Sequence, residues 1–406
     1  MKNEKSVRPV KSLHEVENNE VGDVRPASDI ESRRPRVCMV GAFHSPTFSG
    51  RVASELLVAS RGVELAVAAS ERVSYLHQKE FSISAFVDKV LARPESGRYR
   101  LWIMPVFALP PSIDQGEFWT VTEFDAINPD VKALKRLKNL DVVWVPSEEH
   151  AKACIKAGIK KEVVRVFSMP VNQRTFHPRV PCPTRYAPEK NVFRFIVSGS
   201  PLKRKGIEDV LHAYIKEFKP HEKVELVIKL THLPKIKKDF DYEITDLRKK
   251  LGALNRTFAK VTIVAETLAD IEYAGLLASA DAYVAAGLSF NSAVSVREAM
   301  SCALPVIGPD YLANIAGLTE QSGFLLSTNE LQLAPGELYA SSPACKVRQL
   351  NAEKLAAAMR EAVTCCNKAR KMGLVGQRFM KKQPDWKSFA ADVAKIAGER
   401  FSLQKS

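Results

Sequence analysis

The sequence predicts an α/β protein made of two lobes, each built on a parallel β-sheet, that face each other across a cleft. The chain has 406 residues, which exceeds the usual size of a single hydrophobic core. Short apolar segments typical of buried strands alternate with amphipathic helical segments, which is the pattern of a parallel sheet. A proline-rich stretch without periodicity, residues 176–191, separates two such series and indicates a linker.

The N-terminal series begins at Val37–Val40, a short apolar run that ends at Gly41. Residues 1–35 are polar, mixed in charge and without periodicity, and we expect a disordered tail there. Helical apolar spacing follows in SGRVASELLVAS, and strands are predicted in RLWIMPVFAL and DVVWVP. After the last strand, Ser147 is placed to cap a helix and Gly158 to end it.

The C-terminal series repeats this alternation after the linker. Strands are predicted in VFRFIVSG, KVELVIKL, KVTIVAE, DAYVAA and LPVIGP, and helices in KGIEDVLHAYIKEF, YEITDLRKKLGAL and IEYAGLLASA. Ligands of parallel sheets bind beyond the carboxyl ends of the strands, so we expect the site there. The predicted organisation is a tail at 1–35, an N-terminal lobe at 36–185, a C-terminal lobe at 186–383, and a helix at 384–406 that packs back on the N-terminal lobe.

Composition restricts the class of protein. The chain is 46% hydrophobic and 26% charged, as globular proteins are, and no apolar run approaches the roughly 20 residues that span a bilayer. The N-terminus lacks an apolar signal-peptide core and the seven cysteines lack metal-ligand spacing, so we expect reduced thiols and a cytoplasmic protein, with peripheral membrane contact left open. The net charge of +14 favours an anionic partner, namely a nucleotide, a nucleic acid or an acidic membrane surface; lysines that only maintain solubility are the alternative.

Two segments indicate chemistry. In FIVSGSPLKRKGIEDVLHAY a buried strand ends, and Lys203, Arg204 and Lys205 then precede Gly206 and a helix. The helix dipole disfavours cations there, so a bound diphosphate would explain them better than a solvated basic turn would. In GLSFNSAVSVREAMSCALPVI, small residues precede a lone carboxylate, Glu298, which indicates either a ligand loop or an ordinary loop before a buried helix.

Together these segments resemble family 4 glycosyltransferases, the retaining "glycosyl transferases group 1" type, whose GT-B fold consists of two Rossmann-like lobes. FIVSGSPLKRKGIEDVLHAYIKEF resembles the donor-binding KG segment, and DAYVAAGLSFNSAVSVREAMSCALPVIG aligns without gaps with the donor loop. TEFDAINPDVKALKRLKNLDVVWVPSEEHAKACIKAGI resembles the first lobe of one branch, and PVNQRTFHP its interdomain segment. The resemblance covers roughly residues 36–400.

The resemblance implies a nucleotide-sugar site on the C-terminal lobe. Arg204 and Lys205 would bind the donor diphosphate and stabilise the phosphate of the departing nucleotide. Ser200 is included in this donor site, at a position where many members have arginine. Glu298 would accept hydrogen bonds from the ribose hydroxyls.

The same resemblance assigns two backbone segments to the donor. Amides around Ser292, Ala293 and Val294 would face the sugar and the diphosphate. Gly50 would let the first-lobe loop approach the donor phosphates, which a side chain would obstruct.

The sugar end of the predicted site departs from the family pattern. Phe290 stands where the family has a first glutamate that commonly meets a sugar hydroxyl, and Asn291 and Ala293 replace usual glycines. We interpret this as an altered enzyme, because the nucleotide-side residues all remain; a decayed activity is the alternative. His44 and Glu123, at strand ends of the first lobe, are candidates for the acceptor or sugar side, with structural roles equally favoured.

The sequence therefore predicts a hexosyltransferase that moves a sugar from a UDP- or GDP-sugar to an unidentified acceptor, with retention at the anomeric carbon. The acceptor would be a glycan, a lipid-linked glycan or a protein. We expect no bound cofactor and no metal requirement, because no His/Cys/Asp cluster has metal-ligand spacing. One alternative is a catalytically degenerate GT-B relative that acts as a binding or scaffold subunit. A nucleic-acid glycosyltransferase ranks lower, because the chain has no DNA-reading motif.

Overall fold

The structure is a computed structural model that describes residues 35–45, 48–63, 65–71, 85–93, 99–105, 109, 117–125, 129–199, 203–231, 249, 258–288, 292–336 and 345–403. Ser200, Phe290 and Asn291 of the predicted site lie outside these ranges. So do nearly all of the predicted tail and most of the helix predicted in YEITDLRKKLGAL.

The N-terminal lobe is built on a six-stranded parallel sheet with the order β2-β1-β3-β4-β5-β6. Its strands are β1 (Arg36–Gly41), β2 (Ala66–Glu71), β3 (Tyr99–Ile103), β4 (Glu117–Val121), β5 (Val142–Val145) and β6 (Val164–Val166). Its helices are α1 (Phe48–Ala59), α2 (Ala85–Leu91), α3 (Val131–Leu134) and α4 (Glu148–Lys156). Helices on both faces bury the central strands, which explains why β1 and β5 read as continuous apolar runs.

The C-terminal lobe repeats this architecture with the strand order β12-β11-β10-β7-β8-β9, again all parallel. Its strands are β7 (Phe193–Gly199), β8 (Val224–Leu230), β9 (Lys260–Val264), β10 (Ala282–Val284), β11 (Val306–Pro309) and β12 (Gly323–Leu326). Its helices are α5 (Ile207–Glu217), α6 (Asp270–Ala278), α7 (Val294–Ser301) and α8 (Leu312–Ala316). Two parallel α/β lobes confirm the predicted fold class.

The remaining elements follow β12 in the chain. They are an antiparallel pair of strands, β13 (Thr328–Leu333) and β14 (Cys345–Leu350), and three helices, α9 (Ala352–Thr364), α10 (Cys366–Lys381) and α11 (Trp386–Leu403). The sequence analysis did not predict β13, β14, α9 or α10. Among the described helices, none combines the length and the apolar composition that crossing a bilayer requires.

Helix α11 lies on the N-terminal lobe, although α10 before it packs on the C-terminal lobe. Phe389 stacks on Phe167 with ring centres 4.6 Å apart and meets the edge of Trp144 at 6.0 Å. Trp386 and Val393 belong to the same apolar core. The chain therefore crosses between the lobes twice, once in the proline-rich segment and once between α10 and α11.

The beginning of α4 differs from its prediction in one respect. Ser147 occupies the N-cap position, but its hydroxyl pairs with Nδ1 of His150 at 2.7 Å and makes no capping bond to a backbone amide. The buried imidazole also contacts the carbonyl oxygen of Phe124 at 3.0 Å. The Ser147 hydroxyl therefore provides a hydrogen-bond partner for the buried imidazole instead of capping the helix. The spacing of residues in the sequence does not reveal this preference.

Candidate functional site

The carboxyl end of β7 carries the first group of predicted site residues. The chain turns through Lys203–Lys205 and enters α5 at Gly206, whose φ of 64° is left-handed. A Cβ at Gly206 would lie 2.0 Å from the carbonyl oxygen of Ala286 in the segment after β10. The amide of Leu288 also donates to the carbonyl of Arg204 at 2.8 Å. The basic turn and the loop after β10 are thus held in direct contact.

Two cations lie together in this turn. The pKa of Lys205 is lowered to about 7, chiefly by burial and also by repulsion from Arg204, while attraction by Glu123 partly opposes both effects. Two adjacent cations in a partly buried position repel each other, and a bound anion would relieve that repulsion. The turn therefore has the electrostatic character of an anion site.

Glu123 brings the other lobe to this turn. It follows β4 of the N-terminal lobe, is 9% exposed and acts electrostatically on Lys205. Nearby Asp125 likewise acts electrostatically on Tyr311 of the C-terminal lobe. The pKa of Tyr311 is raised mainly by burial and additionally by the Asp125 carboxylate. The Tyr311 hydroxyl donates to the carbonyl of Gly287 at 2.7 Å. The segment after β4 therefore lies opposite the candidate site.

The second group of predicted residues lies where α7 begins, after β10 and hence beside β7 in the sheet. Ser292 and Ala293 are buried, and Ala293 has a left-handed φ of 49°. Val294 packs against the core of the N-terminal lobe. Glu298 is 3% exposed, and burial raises the pKa of its carboxyl to about 7, with Asp270 raising it and Arg51 lowering it. The two groups lie at neighbouring strand ends of one sheet.

Arg51 of α1 contacts the candidate site residue Glu298, and the sequence analysis did not include it. Its Nη1 donates to Oε1 of Glu298, and its Nη2 donates to Oδ1 of Asp270 at 2.8 Å. The guanidinium carbon lies 5.8 Å from the ring centre of Phe176 and 5.9 Å from that of Tyr273. The sequence offered one indication of Arg51, namely that it directly follows Gly50, a residue predicted to lie near the donor phosphates.

Gly50 has a packing reason within its own lobe. A Cβ there would lie 2.0 Å from the carbonyl oxygen of Ser45 and 2.7 Å from that of Ala42. The glycine thus lets the beginning of α1 lie against the loop that follows β1, and this placement sets the position of Arg51. Close approach of Gly50 to donor phosphates stays a prediction.

His44 contacts carboxylates of its own lobe. Its Nδ1 lies 3.3 Å from Oε2 of Glu71 at the end of β2, and its Nε2 lies 3.5 Å from Oδ1 of Asp88 in α2. The Glu71 carboxylate also accepts the amide of Phe43 at 3.0 Å. These contacts join His44 to β2 and α2, whereas Glu123 acts electrostatically on Lys205 of the other lobe. An acceptor role for either residue stays a prediction.

Buried polar groups lie beneath the two groups of site residues. The hydroxyl of Ser198, near the end of β7, is 2.8 Å from that of Tyr273 and 2.9 Å from that of Tyr283. On the next strand Lys229 is 7% exposed, and burial followed by repulsion from Arg51 lowers its pKa to about 8. The sequence analysis assigned these positions to strands and helices, where their polar side chains attracted no functional interpretation.

In the described ranges, no three His, Cys, Asp or Glu side chains lie close enough to hold an ion. Independence of metal is an expectation from the sequence and stays a prediction.

No protein-family model and no curated protein matches the chain. Solved structures of low sequence identity share its fold. Sucrose-phosphate synthase from Thermosynechococcus elongatus is 16% identical with a TM-score of 0.64, and the match covers 91% of this chain and 100% of that one. Anabaena HepE in complex with UDP and glucose is 13% identical with a TM-score of 0.61, covering 90% and 100%. WaaG, a glycosyltransferase involved in lipopolysaccharide biosynthesis, is 14% identical with a TM-score of 0.56, covering 89% and 99%.

Proposed function

We propose that this protein is a glycosyltransferase that moves a sugar from a nucleotide-sugar donor to an acceptor, with retention at the anomeric carbon. The observation that carries the proposal is the pairing of a cationic turn after β7 with a buried carboxylate in α7, after the neighbouring strand β10. A nucleoside diphosphate has complementary parts, an anionic diphosphate and a ribose with two hydroxyl donors. The fold is similar to that of structures in complex with UDP and UDP-glucose, and this similarity supports the proposed nucleotide-sugar donor.

In the proposed complex Arg204 and Lys205 bind the diphosphate, and Glu298 accepts the ribose hydroxyls. As the bond to the sugar breaks, negative charge develops on the departing nucleotide, and the two cations stabilise it. Backbone amides at Ser292–Val294 face the sugar and the diphosphate, and Gly50 lies near the phosphates. No protein nucleophile is assigned, and no metal is invoked.

The acceptor is proposed to bind from the N-terminal lobe. Glu123 lies within electrostatic reach of Lys205, so an acceptor hydroxyl held there would be near the diphosphate end of the donor. His44 is a second candidate for this side, with Phe290 and Asn291 on the sugar side. Contact between the lobes would exclude water and limit hydrolysis of the donor.

The test is a panel of UDP-, GDP- and ADP-sugars screened by thermal stabilisation, followed by calorimetry on the best ligand. We expect at least one nucleotide sugar to stabilise the wild-type protein. We expect Lys205→Ala and Glu298→Gln to weaken its affinity at least about tenfold, since each removes a charged hydrogen-bonding partner. Lys216→Ala, at an exposed lysine of α5, is the matched control. Unchanged affinity in both site variants would contradict the proposal.

The second candidate is a GT-B relative that binds a nucleotide sugar without turning it over. Phe290, in place of the family's first glutamate, favours it. The two candidates are distinguished by measuring the release of free nucleotide from each bound donor, with and without a range of acceptor glycans. Binding without release under every condition would favour the non-catalytic candidate.

We further propose that an anionic membrane surface is a partner. Residues 362–384 contain no Asp or Glu, and they include α10 with the exposed cations Lys371, Arg378 and Lys381. Leu374, 49% exposed, lies among them at helical spacing. Basic residues around an exposed apolar side chain are typical of helices that bind anionic lipid.

A further inference from the structure

The contact between Arg51 and Glu298 joins the two lobes at the candidate nucleotide site. Arg51 lies on α1 of the N-terminal lobe, whereas Glu298 and Asp270 lie on α7 and α6 of the C-terminal lobe. One Nη atom donates to each carboxylate. Because the guanidinium fork is planar and rigid, the two bonds set the direction of the contact as well as its length.

Aromatic side chains hold the guanidinium in this place. It lies beside the rings of Phe176 and Tyr273, within 6 Å of both centres, and the two rings meet edge to face with their centres 6.1 Å apart. The Glu298 side chain is only 4% exposed, and a carboxylate so buried is costly unless a cation accompanies it. Arg51 supplies that charge from a position that the rings maintain.

Among the described residues, the Glu298 carboxylate accepts hydrogen bonds through one of its two oxygens. Arg51 bonds to Oε1, and within the described part of the chain no hydrogen bond is made to Oε2. An ionised carboxylate accepts up to about four hydrogen bonds. The pair therefore retains the capacity to accept the 2′- and 3′-hydroxyls of a ribose.

We propose that Arg51 is a positioning residue that presents the Glu298 carboxylate to the ribose of the donor, so that nucleotide recognition by the C-terminal lobe requires contact with the N-terminal lobe. The proposal rests on the proposed function, because it takes the ligand of Glu298 to be a ribose. It adds a residue that acts through Glu298 without touching the nucleotide. It also makes closure of the lobes a condition for ribose binding.

The charges around Glu298 make this role measurable as a function of pH. Asp270 of α6 raises the pKa of Glu298 and Arg51 lowers it. Tyr273 of α6 and Tyr283 of β10 also face the carboxylate, and Lys229 of β8 lies behind Arg51. Without Arg51, the neutral carboxyl would persist to higher pH, and a neutral carboxyl is a weaker acceptor for two hydroxyls.

The experiment compares UDP with 2′,3′-dideoxy-UDP by calorimetry at pH 7.5, with the GDP and ADP pairs in parallel. The ratio of the two dissociation constants isolates the ribose hydroxyls. We expect the wild-type protein to prefer the ribose form at least about tenfold. In Arg51→Ala and in Glu298→Gln we expect the ratio to fall to within about twofold of one, and in Arg51→Lys we expect an intermediate ratio.

Arg360→Ala is the matched control, because Arg360 of α9 also bridges two carboxylates, Glu217 and Glu222, and also lies over an aromatic ring, that of Phe218. Its ratio should equal that of the wild type. Loss of affinity for both ligands in Arg51→Ala with an unchanged ratio would mean a merely structural role and would overturn the inference. If the wild-type protein binds none of the nucleotides, the proposed function fails and this inference fails with it.

A second variant covers misfolding of Arg51→Ala. Arg51→Gln keeps a polar side chain of similar reach, and its ratio should be near one at pH 7.5 and recover as the pH rises to 9.5, when Glu298 ionises without help. Titration of Lys205 acts on the diphosphate of both ligands and cancels in the ratio. A ratio in Arg51→Gln that does not change with pH would also overturn the proposal.

Discussion

Gly206 shows how one backbone position can place two loops of the candidate site. Its left-handed φ and its approach to Ala286 let the basic turn lie against the loop after β10. The hydrogen bond from Leu288 to Arg204 joins the same two loops. Any residue with a Cβ at this position must separate them.

We expect Gly206→Ala to lower the free energy of unfolding by about 2–5 kcal/mol. The left-handed conformation costs an L-residue about 1–2 kcal/mol, and relieving the overlap with Ala286 costs about 1–3 kcal/mol more. Gly398→Ala is the control, because nothing lies within 4 Å of its Cβ position in α11, and it should add about 0.5–1 kcal/mol. Urea denaturation measures both, and equal effects would contradict the prediction.

Two residues at the candidate site have pKa values near 7, and their effects on donor binding have opposite signs. In the proposed complex Lys205 binds the diphosphate as an ammonium, so affinity should fall as the pH rises above about 7. In the same proposal Glu298 accepts the ribose hydroxyls as a carboxylate, so affinity should fall as the pH drops below about 7. We therefore expect the affinity for UDP-glucose to pass through a maximum near neutral pH.

Substitutions should separate the two limbs of this profile. Lys205→Arg keeps its charge at high pH and should remove the alkaline limb, and Glu298→Gln should remove the acid limb. Calorimetry between pH 5.5 and 9 gives both profiles. UDP-glucose suits the measurement because its diphosphate, esterified at both ends, does not titrate over this range. A profile that neither variant alters would contradict these assignments.

At the scale of elements, the helices and strands that the sequence predicted are those with a continuous apolar run or with apolar residues at helical spacing. β7, β8 and α5 each bury a continuous apolar strand or one apolar helix face. β13 and β14 escaped prediction because more than half of their residues are polar and they bury only a small cluster. Its fully buried members are Leu288, Leu333 and Val347.

Helix α10 escaped prediction for a different reason. Gly373 and Gly376 lie within it, and glycines inside a helical pattern usually weaken the prediction of a helix. Here Gly373 faces a neighbouring backbone, because a Cβ there would lie 1.9 Å from the carbonyl oxygen of Ala303. Gly376 lies over Met300 of α7. The glycines allow close packing against α7, and that contact becomes visible only in three dimensions.

The outward face of α10 carries a prediction of its own. We expect the protein to sediment with phosphatidylglycerol vesicles at 0.05 M salt, to be released at 0.5 M salt, and not to bind phosphatidylcholine vesicles. Lys371→Glu combined with Arg378→Glu should weaken binding about 30-fold or more, since each basic residue near such a surface contributes about 1 kcal/mol and each substitution reverses a charge.

The matched control for this surface is Lys216→Glu combined with Lys219→Glu, which reverses two exposed charges near the end of α5. It should bind vesicles nearly as well as the wild type. Salt-sensitive binding to duplex DNA without binding to vesicles would contradict the membrane proposal and favour a nucleic-acid partner instead.

At the scale of the whole molecule, the candidate site residues predicted from motifs differ from Arg51 in the sequence distance that separates each from its partners. Arg204, Lys205 and Glu298 belong to short segments that resemble known donor-binding segments. Arg51 contacts partners 219 and 247 positions away, and the two lobes must assemble before that contact exists. No local pattern encodes such a pairing, so the fold class was predictable while the contact between the lobes was not.

The return of α11 to the N-terminal lobe predicts an effect on unfolding. Phe389 is 2% exposed within the core of that lobe, so Phe389→Ala should cost about 3–5 kcal/mol. For this variant we expect scanning calorimetry to show the N-terminal lobe unfolding at a lower temperature than the C-terminal lobe. Leu403→Ala, at a 72% exposed position of the same helix, should leave the profile unchanged. Equal profiles for the two variants would contradict this role of α11.

The two crossings of the chain between the lobes also restrict relative motion. Two lobes joined by a single segment can reorient freely and separate. Two short connecting segments instead restrict the lobes mainly to rotation about the axis that passes through both segments. A single cut in the proline-rich segment should therefore leave the lobes attached through the segment between α10 and α11. Opening and closing would then trace one reproducible arc, which returns Arg51 to the same partner in every cycle.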